Sequence, residues 1–338
     1  MTPDGATPAG TGGGVDAATV QAYLDCLDRA DQTAAVRLAT DLLDAGASVA
    51  DVLVDVVAAA QQEIGRRWFT GRWSVAQEHA ATHISELVAA AVAARTPAPT
   101  GRGRVVVACV EGEWHALPAR IVAEVLRADG WQVTFLGASV PARHLVSYLH
   151  QAGPDAVLLS CLLSTRLVRA GRMIEACRAA GVPVLAGGPG FGADGRWAAP
   201  LGAAAWGASA RDAARLLRRP LHPAGPFPAA ADDEYVAVLR HRRTIVQQAL
   251  YAVDPAEEDA DEVAGVAAQL VDALAAAIRV GDPALLAEFV GWQSGVSRAR
   301  PDGTPLLDVL LDVCATALAE HPRAGDHLRR ARRTATAR

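Results

Sequence analysis

The stretch VVVACVEGEWHALPARIVAEVLRADG, Val105–Gly130, decides the fold. VVVACV is a continuous apolar run, the pattern of a strand buried on both faces. ARIVAEVLRADG is spaced as a helix, with Pro118 in its first turn and Gly130 as its stop. Between them lies Glu113-Trp114-His115. A strand, a short loop and a helix in that order put the loop at the carboxyl edge of a parallel sheet, where doubly wound folds bind ligands. Glu113 is near enough to accept a hydrogen bond from one ring nitrogen of His115. That bond fixes the tautomer and raises the basicity of the other nitrogen, as in a metal ligand; the bland alternative is an ordinary loop histidine.

Outward from this unit the alternation continues. WQVTFLGA, DAVLLSCL (Asp155–Leu162) and VPVLAGG (Val182–Gly188) read as strands, with helices over Pro141–Gln151 and Thr165–Ala180, and AAAWGAS leads into a last short helix. Residues 102–219 therefore predict a flavodoxin-like, doubly wound parallel sheet in an α/β domain. Ser160, Leu162 and Ser164 fall at the end of one strand, and Gly187, Gly188 and Gly190 at the end of the next. Glycines there let a flat ligand approach the backbone, and serines supply small hydrogen-bonding groups.

Residues 15–98 have apolar positions at helical spacing and predict a four-helix bundle. Trp68 ends its third helix, Gly71 breaks the pattern, and Ser74 caps a fourth helix that carries Glu78 and His79. On pattern alone Trp68 is core at least as readily as ligand cover. Residues 1–14 read by composition as a disordered tail, with no DNA-binding segment before the bundle, and 220–232 as a Pro-rich linker. Residues 233–338 read as an all-α domain of four helices, with Asp282-Pro283 and Thr304-Pro305 as helix starts and Gly281 as a stop.

The motifs of the sheet resemble those of the cobalamin-binding domains, which carry D-x-H-x-x-G, S-x-L and G-G. Here they read Glu113-x-His115-x-x-Pro118, Ser160-x-Leu162 and Gly187-Gly188. The resemblance implies that His115 displaces the cofactor's benzimidazole and ligates cobalt, that Glu113 supports it, and that the nucleotide tail runs beside the serine and the glycines. Glutamate for aspartate lengthens the carboxylate, and proline at 118 removes an amide donor. The bundle resembles the cap over cobalamin in methionine synthase. Its W-x9-E-H spacing, Trp68 to Glu78-His79, resembles the CarH-type light-sensing regulators. That implies adenosylcobalamin, with Trp68 packed beside the adenosyl group, Glu78 and His79 close by, and light breaking the cobalt–carbon bond. Those regulators carry a second cobalt-binding histidine directly after the tryptophan. Phe69 stands there in this chain, and His79 and His83 are the alternatives.

LAAAIRVGDPALLAEFVGW resembles the globin-like helical segments of photocobilins, which hold a bilin. The resemblance implies a second chromophore, biliverdin, bound without a covalent bond. Arg240, Arg242, Arg243 and His241 would meet its propionates, or equally form a solvated helix face; Tyr251, Phe289 and Trp292 would line its rings. Cys314 lies in an apolar helix and reads as core.

Composition narrows the classes. A net charge of -5 gives no basic footprint for nucleic acid. Five cysteines without paired spacing point to a reducing compartment. No signal peptide is evident, and apolar runs interrupted by charge argue against a membrane span, so a cytoplasmic protein is expected. A mutase needs a barrel of roughly 250 residues, for which there is no room. A non-enzymatic photosensor that signals as a homo-oligomer, such as a dimer, and a corrinoid methyl carrier serving a methyltransferase both fit.

Overall fold

The computed structural model describes residues 15–223, 233–298 and 306–336. The tail, most of the linker and Thr304-Pro305 lie outside them.

The chain opens with helices α1 (Ala17–Asp28) and α2 (Gln32–Asp44). A π-helical stretch, Asp51–Ala58, runs into α3 (Ala59–Phe69), and α4 (Val75–Ala93) follows. Asp16, Asp31 and Ser74 cap α1, α2 and α4, and Ser74 forms a capping box with Gln77. These caps satisfy amides that would otherwise be orphaned at each start.

Five strands follow: β1 (Arg104–Cys109), β2 (Gln132–Gly137), β3 (Ala156–Ser160), β4 (Val184–Gly187) and β5 (Ala205–Gly207). Their order is β2-β1-β3-β4-β5 and every pairing is parallel, the flavodoxin-like arrangement. Helices α5 (Ala116–Ala128), α6 (Ala142–Ala152), α7 (Leu167–Ala179) and α8 (Ala210–Leu216) make the crossovers and the return. Alternate residues of β1 explain its unbroken apolar run. Val105, Val107 and Cys109 pack on α5 and α8, whereas Val106 and Ala108 face the side that carries α6 and α7.

Helix α5 is apolar on two sides because it lies between two partners. Ala119, Ala123 and Leu126 face the sheet, while Leu117, Ile121 and Val125 join the core of the cap. Arg211 on α8 adds a polar tie, donating to Asp51 (2.7 Å) and Asp55 (2.5 Å) on the π-helical stretch.

The C-terminal region holds α9 (Glu234–Val253), α10 (Ala260–Val280), α11 (Pro283–Arg298), α12 (Leu306–Ala317) and α13 (Pro322–Thr336). The expected four helices omit α13, whose arginine-rich sequence hides its buried stripe of Ala324, Leu328 and Ala331. The apolar core of α9–α13 is continuous with the α7 face of the sheet. Glu257–Val280 is long and apolar enough to cross a membrane, but most of it is buried in protein, as a central core helix is.

Candidate functional site

His115 is the N-cap residue of α5, at the carboxyl edge of the sheet. Its Nδ1 lies 2.5 Å from Oε1 of Glu113, which is completely buried. The same oxygen accepts the His115 amide at 3.1 Å. The other carboxylate oxygen accepts the amides of Leu162 (2.8 Å) and Leu163 (3.2 Å). Burial pushes the Glu113 carboxyl up, but its hydrogen bonds from His115 and the amides more than offset this and hold it below the usual range. An ionised Glu113 requires Nδ1 to carry its proton, so Nε2 is the nitrogen free to ligate. The Glu113 bond raises the His115 pKa against the opposing effect of burial, with Glu78 adding to the rise and Arg166 opposing it. The ring keeps 53% of its side-chain surface open.

This geometry accounts for both departures from the motif. The glutamate is long enough to span from the imidazole to the backbone after β3. Pro118 occupies the first turn of α5, where its missing amide removes no intrahelical bond. Ser139 completes the loop: its amide donates to the Glu113 carbonyl at 2.9 Å, and its hydroxyl accepts the Gly112 amide at 3.1 Å. Ser139 takes a left-handed φ of 48° to do so, a conformation costly for a non-glycine residue. Sequence reading missed Ser139 and the Leu162–Leu163 amides because both act through backbone brought together by the sheet.

Ser160 ends β3 and Ser164 opens a short 3-10 turn, both half-buried on the His115 edge. Gly187 ends β4 with ordinary space at its missing Cβ, nearest to the Gly207 carbonyl at 3.5 Å. Gly188 and Gly190 are also required by packing within the protein. A Cβ at either would meet the Cys161 carbonyl oxygen, at 2.4 and 2.7 Å, so protein packing demands these glycines. These residues fit a cofactor that brings its own metal: a single oriented imidazole faces outward, and small groups line the adjacent edge. Among the described residues no three His, Cys, Asp or Glu side chains converge as a closed metal site.

On the cap, Glu78 and His79 pair with each other at 2.5 Å. Glu78 also accepts from Thr82 at 2.9 Å, and a chain through Gln61 and Ser85 continues to buried Tyr23. Helix α4 packs against α5, whose N-cap is His115, and the Glu78 charge adds to the rise of the His115 pKa. Trp68 is half-buried and stacks on Trp292 of α11, ring centroids 6.2 Å apart.

The residues expected at the bilin lie in differing surroundings. Arg242 is engaged with buried Asp272 through two hydrogen bonds of 2.9 and 3.2 Å. Tyr251 is 91% exposed, Trp292 faces the cap, and Phe289 is buried behind Trp292. Arg240 and Arg243 are solvated, and His241 packs edge-on against His321. Cys314 is buried core, its thiol pushed up to about 12 by burial.

Residues 103–215 match the family model described as B12 binding domain, and residues 19–93 match a second model of that description. The chain is a cobalamin-binding protein. Trimethylamine corrinoid protein 1 of Methanosarcina acetivorans is 27% identical over 202 residues, which span 57% of this chain and 93% of that protein. The HTH-type transcriptional repressor CarA of Myxococcus xanthus is 36% identical over 122 residues, 35% of this chain and 42% of the repressor. The monomethylamine corrinoid protein of Methanosarcina barkeri shares the fold, with a TM-score of 0.51 and 19% identity over 57% of this chain and 94% of its own. Both family matches end before α9.

Proposed function

We propose that this chain is a non-enzymatic light sensor that holds adenosylcobalamin between the helical cap and the sheet edge. The observation that carries the reading is the Glu113-oriented His115, at the start of the helix on which the cap's α4 packs. The W-x9-E-H spacing adds Trp68, Glu78 and His79 of the cap. Bound adenosylcobalamin supplies a cobalt–carbon bond that visible light breaks. In this reading His115 Nε2 would hold the cobalt, Glu113 would fix its tautomer, and Ser160, Ser164 and Gly187 would flank the nucleotide tail. Trp68 packs beside the adenosyl group and shields it from water. Trp68 would report a change at the upper face, and the signal would leave through a rearrangement of helices or of a homo-oligomer in the cytoplasm. The test is the visible spectrum with adenosyl- and methylcobalamin, dark and illuminated. Preference for the adenosyl form and a lasting light-induced change are expected; equal preference and no lasting change would contradict the reading.

A corrinoid methyl carrier is the second reading, favoured by the match across 93% of a trimethylamine corrinoid protein. It predicts preference for methylcobalamin and transfer of its methyl group to a partner methyltransferase.

The sensor reading extends to a second chromophore, biliverdin, in the C-terminal helices. A cavity of about 410 Å³ between α12 and α13 is lined by Leu318, His321, Leu328, Arg329 and Arg332, and the two arginines would exchange Asp326 and Asp312 for the propionates. Coexpression with a haem oxygenase should yield a red-absorbing band that denaturation releases as free pigment. Its absence, when a known bilin binder treated alike shows one, removes the second chromophore and leaves the first.

A further inference from the structure

The cap and the C-terminal helices pack on opposite faces of the sheet. The cap shares its core with α5, while α9–α13 share theirs with α7. They nevertheless meet, through the end of α3 and one face of α11. Trp292 stacks on Trp68 with planes 26° apart, and Phe289, one turn earlier, lies 6.5 Å from Trp292. One turn later is Gly295. A Cβ there would come within 2.6 Å of Phe69 Cζ, so the missing side chain is the notch that admits the Phe69 ring. Two consecutive residues of α3 are thus each matched to one residue of α11.

The contact is not ordinary core. Trp292 remains 40% exposed and Trp68 is half-buried, so neither ring has the burial that would explain it as filling. What the stack does fix is the plane of Trp68. An indole free to rotate about two side-chain torsions presents either its face or its edge to whatever lies beside it; stacking on a second indole selects one.

We propose that α11 is a wall of the compartment above the cofactor, with Trp292 acting as a positioning residue that sets Trp68 and, through it, the choice of upper ligand. This rests on the proposed placement of the adenosyl group against Trp68. Phe69 complements it: seated on Gly295, it anchors α11 to the cap. The C-terminal helices are therefore part of the cobalamin site.

The test compares the full-length chain with Trp292→Ala, Trp292→Phe and Gly295→Val, reading the ratio of affinities for adenosylcobalamin and hydroxocobalamin. Hydroxocobalamin has no large upper group, so a merely structural role for Trp292 would lower both affinities together and leave the ratio unchanged. Losing the stack should reduce the preference for adenosylcobalamin by roughly two- to tenfold in Trp292→Ala and Gly295→Val. Trp292→Phe should lie between them and the unmutated chain. An unchanged ratio in Trp292→Ala, while Trp68→Ala shifts it, would overturn the proposal. The apoprotein provides an independent reading. Stacked indoles give an exciton couplet in far-ultraviolet circular dichroism, expected to vanish in Trp68→Ala and Trp292→Ala alike. A couplet that survives Trp292→Ala overturns the wall alone, whereas an unmutated chain with no adenosyl preference sinks the sensor reading.

Discussion

Glu113 is a fully buried carboxylate, which is tolerable only when its lone pairs are met. His115 and two amides after β3 meet them. In Glu113→Gln the amide nitrogen must face one of these donors, so the variant should bind cobalamin roughly ten- to a hundredfold more weakly, as read by spectral titration. Unchanged affinity would show that Glu113 does not support the ligand. The Glu113–His115 half of this site was legible because its members are two residues apart. The amides of Leu162 and Leu163 were not, because only the pairing of β1 with β3 brings them within reach. His327 supplies a second prediction. Burial holds its pKa below the ordinary imidazole value, Arg330 pushes the same way, and Asp326, Asp282 and Glu234 oppose. A depressed folded-state pKa means stability present above about pH 6.5 and lost as pH falls through the folded value. Melting temperature should therefore drop between about pH 7 and 5, and His327→Asn should flatten that slope; an unaltered slope would remove His327 as the cause.

At the scale of elements, periodicity was enough where one face of a helix or strand meets one partner. It located the first four strands to within a residue or two, and the caps at Ser74 and Asp282. It failed at α13, where an abundance of arginine masks three buried positions, and at Arg242, Tyr251 and Trp292, whose surroundings are set by other helices. Two substitutions test the element assignments. Leu328→Ala should cost about 2–5 kcal/mol, because a nearly closed leucine leaves a cavity under α13. Gly188→Ala should destabilise the edge, since φ is +95° there and the new methyl meets the Cys161 carbonyl. Chemical denaturation checks both, and a neutral Gly188→Ala would mean that the turn after β4 can relax without cost.

For the whole molecule, one continuous core from the sheet to α13 implies that the C-terminal helices cannot be removed harmlessly. A chain ending at residue 219 should expose the apolar face of α7 and aggregate, or melt well below the full chain; a stable, monodisperse fragment would show that the shared core contributes little. In the proposed reading the cap, the sheet edge and α11 would act as one enclosure around a corrinoid held by His115. That central claim is tested most directly by electron paramagnetic resonance of the one-electron-reduced cobalamin complex, made with protein carrying 15N-histidine. Ligation by His115 predicts cobalt lines split into doublets by 15N, and their loss in His115→Ala. Triplets from the cofactor's own 14N benzimidazole in the unmutated protein would contradict it.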